Sequence, residues 1–211
     1  MAEENYIKVD GEPDTFSGGA IRYSKKGKGR FDLIPPEVVY LINGYAKLKF
    51  STSDEDTISA SLSDIIADAY IDDDKRYINT IIDMVIVIWS NGKIIDDDDI
   101  TVEVTYQQWI RGFCNMLKDL AVHYEYGAEK YGVDNWKNGI PLTGGDRGGS
   151  FTDSGLRHLN QWMLDEQDEK HDISAVWNFF NAIYLQLQEG KPIPLHEEGF
   201  VDPNDAYDFG D

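Results

Sequence analysis

Cysteine occurs once in this chain of 211 residues, at Cys114. No disulfide can therefore form within it, and a reducing compartment is compatible. Long apolar runs are missing too: none approaches the roughly 18 residues needed to cross a bilayer. The N-terminal stretch lacks the pattern of a secretory signal. A cytoplasmic protein with no membrane partner is the expectation. Basic residues are scarce, with 19 Lys and Arg against 39 Asp and Glu and a formal net charge of −20. Nucleic-acid polymers bind mainly through cations that meet their phosphates, so no such polymer is expected as a partner. A small nucleotide escapes that argument, because metal ions and a few placed cations can meet its charge.

What is present suits a packed core. Hydrophobic residues make up 41% and aromatics 12%, which argues against wholesale disorder. The length fits one domain, or one domain with a sizeable insertion. Charge is unevenly spread. Five cations (Arg22, Lys25, Lys26, Lys28 and Arg30) follow one another with no acid between them, whereas Ser51 to Thr105 holds fourteen acids against Lys75, Arg76 and Lys93. Four segments follow from that shift: a basic arm and first core helix (1–50), an acidic α+β insertion (51–105), a helical core (106–189) and an acidic extension (190–211).

Helical periodicity dominates the chain outside the insertion. Pro35-Pro36 suits a helix start, and Val38, Val39, Ile42, Tyr45, Ala46 and Leu48 recur at helical spacing behind it. The clearest helix runs from about Tyr106 to Tyr131, with a stripe of Trp109, Ile110, Phe113, Leu117, Leu120 and Tyr124. After a glycine-rich loop from Gly132 to Gly149, Ser150 or Thr152 caps a third helix reaching Leu164. A fourth is expected from about Asp168 to Gln188. Within the insertion, Thr57 to Tyr70 reads as helix, while the β-branched run Met84 to Trp89 and the alternation over Ile100 to Tyr106 read as strands. Asp96 to Asp99 lacks the spaced ligands of a calcium-binding EF-hand and reads as a solvated turn.

Two acidic pairs carry the chemistry. Glu125 and Glu129, at i and i+4, share one helix face, and Glu169 and Asp172 repeat the pattern at i and i+3. Like charges at that spacing repel, so the arrangement gains from a cation, and carboxylate oxygens suit Mg²⁺ or Mn²⁺. Solvated faces of an acidic protein also carry such pairs. The neighbours favour a site: Lys130, Asn135, Trp136, Arg157, His158, Trp177 and Asn178 supply cations for phosphate, amides for base or sugar edges, and indoles for stacking.

Taken in order, Gly29-Arg30-Phe31-Asp32-Leu33-Ile34-Pro35-Pro36, Gly127-Ala128-Glu129-Lys130-Tyr131-Gly132 through Asn135-Trp136, Leu156-Arg157-His158-Leu159, and Asp168-Glu169-Lys170-His171-Asp172 through Trp177-Asn178 resemble the phage dATP/dGTP diphosphohydrolase family. That family is similar to the MazG-like all-α nucleotide pyrophosphohydrolases. The resemblance implies a mainly α, MazG-like helical bundle assembled as a homo-oligomer. It also implies Mg²⁺, with Mn²⁺ as the alternative, held by Glu125, Glu129, Glu169 and Asp172. The implied reaction cleaves a purine deoxynucleoside triphosphate to monophosphate and pyrophosphate. Lys28, Arg30, Lys130 and Arg157 are the candidates for the phosphates, and Asn135, Trp136 and Asn178 for sugar and base, with His158 beside them. The chain departs from the MazG pattern in having Glu125-x-x-x-Glu129 where Glu-x-x-Glu is usual, and in the forty residues between Glu129 and Glu169.

Two rival readings remain. His171-Asp172 resembles the central dipeptide of HD-domain phosphohydrolases, with His123 and His158 available as further ligands and free triphosphate as the product. Alternatively, an acidic phage-like protein holds a nucleotide without cleaving it.

Overall fold

Helix boundaries in the computed structural model follow local chemistry closely. The structure describes residues 13–15, 17–23, 27–53, 56–71, 73–138, 140, 150–189, 194–196 and 199–200. Pro35 and Pro36 open α1 (Pro36–Ser51), where a missing amide costs nothing because the first turn leaves it unpaired anyway. Helix α4 (Tyr106–Tyr131) starts on a capping box: the Thr105 hydroxyl accepts from the Gln108 amide, and the Gln108 side chain accepts from the Thr105 amide. Ser150 caps α5 (Phe151–Met163) by accepting from the Asp153 amide at 3.0 Å.

The expected fourth helix starts later than its periodicity implied. Helix α6 runs His171–Gln188, so Asp168 and Glu169 lie in the loop ahead of it rather than on its first turn. Ile173, Ala175, Val176, Phe179, Phe180, Ala182 and Ile183 are all buried, which makes α6 the central helix, in contact with α1, α4 and α5.

The acidic segment differs from expectation in two places. Thr57 to Tyr70 is not one helix: strand β3 (Thr57–Ser61) leads into α2 (Leu62–Tyr70), divided by a capping box between Ser61 and Asp64. Met84 to Trp89 is not a strand. Helix α3 (Arg76–Met84) continues into a π-helical turn over Val85–Trp89. Its β-branched residues favour strands only as half-exposed positions on a pleated surface. Here Ile78, Ile81, Ile82, Met84, Val85 and Ile86 are buried, with the π-helical turn packed chiefly against α4, and tertiary packing overrides that preference. Strands β4 (Lys93–Asp96) and β5 (Thr101–Thr105) complete an antiparallel sheet in the order β3-β5-β4, with Asp97 to Ile100 as the turn between them. The side chains of α3 share one continuous core with those of α1, α4, α5 and α6.

Short two-stranded pairings join β1 (Pro13–Thr15) to β2 (Ile21–Tyr23) and β6 (Pro194–His196) to β7 (Gly199–Phe200). Lys25, Lys26, most of the glycine-rich loop and most of the C-terminal extension lie outside the described residues. No helix among the described residues is long and apolar enough to cross a membrane.

Candidate active site

Helices α5 and α6 touch at a glycine. A Cβ on Gly155 would stand 2.5 Å from the Phe179 ring, well inside van der Waals contact, so the absent side chain permits the close packing of the pair. One turn further along α5, this proximity carries His158 to the start of α6. His158 Nδ1 lies 3.1 Å from His171 Nδ1 and 2.9 Å from Glu169 Oε1, and His171 Nδ1 lies 3.4 Å from the same oxygen. The far nitrogen of His171, Nε2, pairs with Asp168 Oδ1 at 2.7 Å. That bond holds the Asp168 carboxyl below its ordinary range. Burial pushes the imidazoles of His123 and His158 down while Glu169 pulls the other way.

These groups line a recess of about 430 Å³ that also takes in His123, Lys130, Arg157, Trp177 and Asn178. Three of the chain's four histidines therefore open into one space. Lys130 and Arg157 are exposed at its rim, with Lys130 Nζ 4.8 Å from the centre of the Tyr131 ring. Asn178 is buried and donates to the Ser174 carbonyl at 2.8 Å.

A second recess, about 260 Å³ and mostly apolar, shares Gly127, Tyr131 and Trp177 with the first. Tyr124, Trp136 and Ile140 wall it, with Asp134 and Asn135 as its polar edge. Trp136 is buried and meets Tyr124, Phe151 and Tyr184 at ring-centre distances of 5.0–6.4 Å, so it is a core residue that shows one side to the cavity. Its place follows from the tight turn after α4, where Gly132 and Asp134 both take positive φ.

Glu125 and Glu129 face elsewhere. With Arg30, Asp32, Ala128 and Val133 they line a third recess. Both oxygens of Glu125 are engaged, accepting from the amides of Gly27 at 2.9 Å and Gly29 at 2.8 Å. Gly29 has φ +83° and stands so close to α4 that a Cβ would meet Ala121 at 2.8 Å. Arg30 forks onto Asp32 through Nε at 2.8 Å and Nη2 at 2.6 Å. This pairing, ahead of the pull of Glu125, raises the guanidinium pKa. Lys28 is exposed, and Asp172 on the first turn of α6 is partly buried; neither lines any of the three recesses.

Glu125 and Glu129 thus line one recess and Glu169 another. Among the described residues, metal-competent side chains cluster as His158, Glu169 and His171, and as Glu166, Asp168 and His171. Neither set is the four-carboxylate centre that Mg²⁺ would take, since that ion prefers oxygen ligands throughout. Sequence reasoning placed His158 and Glu169 at the site but left Asp168 out of it and reserved His171 for a rival reading. The signal within reach was the rarity of histidine and the place of three of the four beside the quoted motifs.

Residues 96–192 match the family model for the N-terminal domain of dATP/dGTP diphosphohydrolase. Over that segment the chain is similar to the dATP/dGTP diphosphohydrolase family. The segment contains α4, α5 and α6 entire, and with them every histidine, cation and tryptophan of the two adjoining recesses. No curated protein and no solved structure matches the chain.

Proposed function

We propose that the chain hydrolyses purine deoxynucleoside triphosphates, dATP or dGTP, to the monophosphate and pyrophosphate in a reaction that depends on a divalent metal. The observation that carries this reading is the junction of the two recesses at Gly127, Tyr131 and Trp177. An apolar, aromatic-walled space adjoining a polar, cation-rimmed one matches a molecule with a flat base at one end and phosphates at the other. Each space falls near the size range of small-ligand sites. The base would lie among Tyr124, Trp136 and Trp177, with Asn135 at its edge. The phosphates would meet Lys130 and Arg157, the latter able to donate two parallel hydrogen bonds. In the reaction a water oxygen bonds to the α-phosphorus while the bond to the α–β bridging oxygen breaks. Pyrophosphate leaves with that oxygen, and the water's proton passes to a base or to solvent.

Arg30 is committed to Asp32 and Lys28 lies apart, so phosphate contacts are assigned to Lys130 and Arg157 alone. A MazG-like arrangement and a homo-oligomer belong to the same proposal, and light scattering tests the second.

One observation favours a second reading. The convergence of His123, His158 and His171 is what HD-type chemistry asks for, and that chemistry releases inorganic triphosphate and nucleoside. Incubation with the eight common nucleoside triphosphates and Mg²⁺ or Mn²⁺, with products resolved by ³¹P NMR, separates the two. Pyrophosphate from dATP or dGTP supports the proposal. Free triphosphate overturns it in favour of HD-type hydrolysis, and nucleotide binding with no product overturns enzymatic turnover altogether.

A further inference from the structure

The geometry points to a transition-metal site at His158, Glu169 and His171, with Asp168 as the residue that orients it. Three ligand atoms, two imidazole Nδ1 and one carboxylate oxygen, stand 2.9, 3.1 and 3.4 Å from one another. Ions bound by such groups have bonds of roughly 2.1 Å. Bonds of that length hold neighbouring ligands about 3.0 Å apart at right angles and about 3.4 Å apart at tetrahedral angles. The three atoms are thus already spaced as one face of a coordination shell.

The second observation is independent of that spacing. His171 is buried, and its Nε2 is 2.7 Å from Asp168 Oδ1. A carboxylate at Nε2 keeps the proton there and leaves the Nδ1 lone pair aimed at His158 and Glu169. A carboxylate behind a histidine is the usual device for fixing the tautomer and ring angle of a metal ligand. Two nitrogens and one oxygen are the donors of borderline ions, Fe²⁺, Co²⁺ or Zn²⁺, rather than of Mg²⁺. All three ligand residues line the recess rimmed by Lys130 and Arg157. A role for the ion in hydrolysis rests on the nucleotide reading above; its binding does not.

Chelator-treated full-length protein titrated with Co²⁺, followed by visible absorption and calorimetry, tests the site directly. One equivalent should bind with a d–d spectrum typical of nitrogen ligation. Glu169→Gln, at an exposed position, and His158→Gln should remove that spectrum with the fold intact by circular dichroism. Asp168→Asn should weaken binding by roughly ten- to a hundredfold, and Glu129→Gln should leave it unchanged. Absence of the spectrum in the wild-type protein, or its survival in Glu169→Gln and His158→Gln, overturns the site. Turnover of dATP with Mg²⁺ in protein that binds no Co²⁺ would overturn the site and leave the nucleotide reading standing. Co²⁺ bound as described, without hydrolysis of any nucleotide, would do the reverse.

Discussion

Gly155 on α5 rests against the ring of Phe179 on α6, with no room for even a methyl group between them. The contact sets the distance between the helices that carry His158 and His171. Gly155→Val should therefore destabilise the protein by about 1–3 kcal/mol, the usual cost of overfilling a packed core. It should also lower activity more than a stability-matched substitution elsewhere. Denaturant melts together with turnover at a temperature where both variants are folded provide the check. Equal activity in the two would show that helix spacing does not govern the site.

Glu125 is expected to act as a clamp for the loop before α1. Its two oxygens take the amides of Gly27 and Gly29, so Glu125→Ala leaves both donors to solvent. Amide exchange at those two glycines should accelerate, with a stability loss of about 1 kcal/mol, because one bond is exposed and the other only partly buried. The affinity for divalent metal should stay the same. A loss of metal affinity with unchanged exchange would return Glu125 to the role of ligand.

Arg157 offers the cleanest test of phosphate binding, since it is exposed and its hydrogen bond to Gln161 is long at 3.4 Å. Arg157→Gln should raise KM for dATP about tenfold, matching roughly 1.5 kcal/mol for a charge-assisted hydrogen bond. The fold should be untouched. A KM within error of the wild type would remove this residue from the phosphate site.

Stability should also carry a signature of Asp83. This carboxyl is buried and lies 2.9 Å from Lys49 Nζ. Burial pushes its pKa up to about 7, against the pull of Lys49 and with help from Asp68. The folded state therefore holds the proton more tightly than the unfolded chain. The resulting stabilisation is complete below pH of about 4 and is lost as pH rises through about 7. Unfolding free energies of the wild type minus those of Asp83→Asn should fall across that window, by at most about 4 kcal/mol. A flat difference would mean that Asp83 is ionised throughout.

Much of the frame was legible in the chain itself. The α4 boundaries, the proline start of α1 and the Ser150 cap of α5 follow from periodicity and end chemistry, which act over four or five residues. The same reasoning failed at Met84 to Trp89, where four β-branched residues spell a strand but form a π-helical turn packed against α4, β3 and β5. It also merged β3 with α2, although Ser61 and Asp64 carried the capping signal that divides them.

Cysteine scarcity, the acidic balance and the order of the short motifs were determined by the sequence alone, because each is a property of residue order and composition. Which carboxylates meet was decided only by the tertiary structure. Spacing at i and i+4 puts Glu125 and Glu129 on one face of α4, yet it cannot say what that face meets. That face meets the amides of an N-terminal loop. Glu169, freed from a helix that begins two residues later, joins His158 and His171 across the Gly155 contact. Local spacing sets direction within one element, whereas a site is made where two elements pack, and here a missing side chain lets them do so.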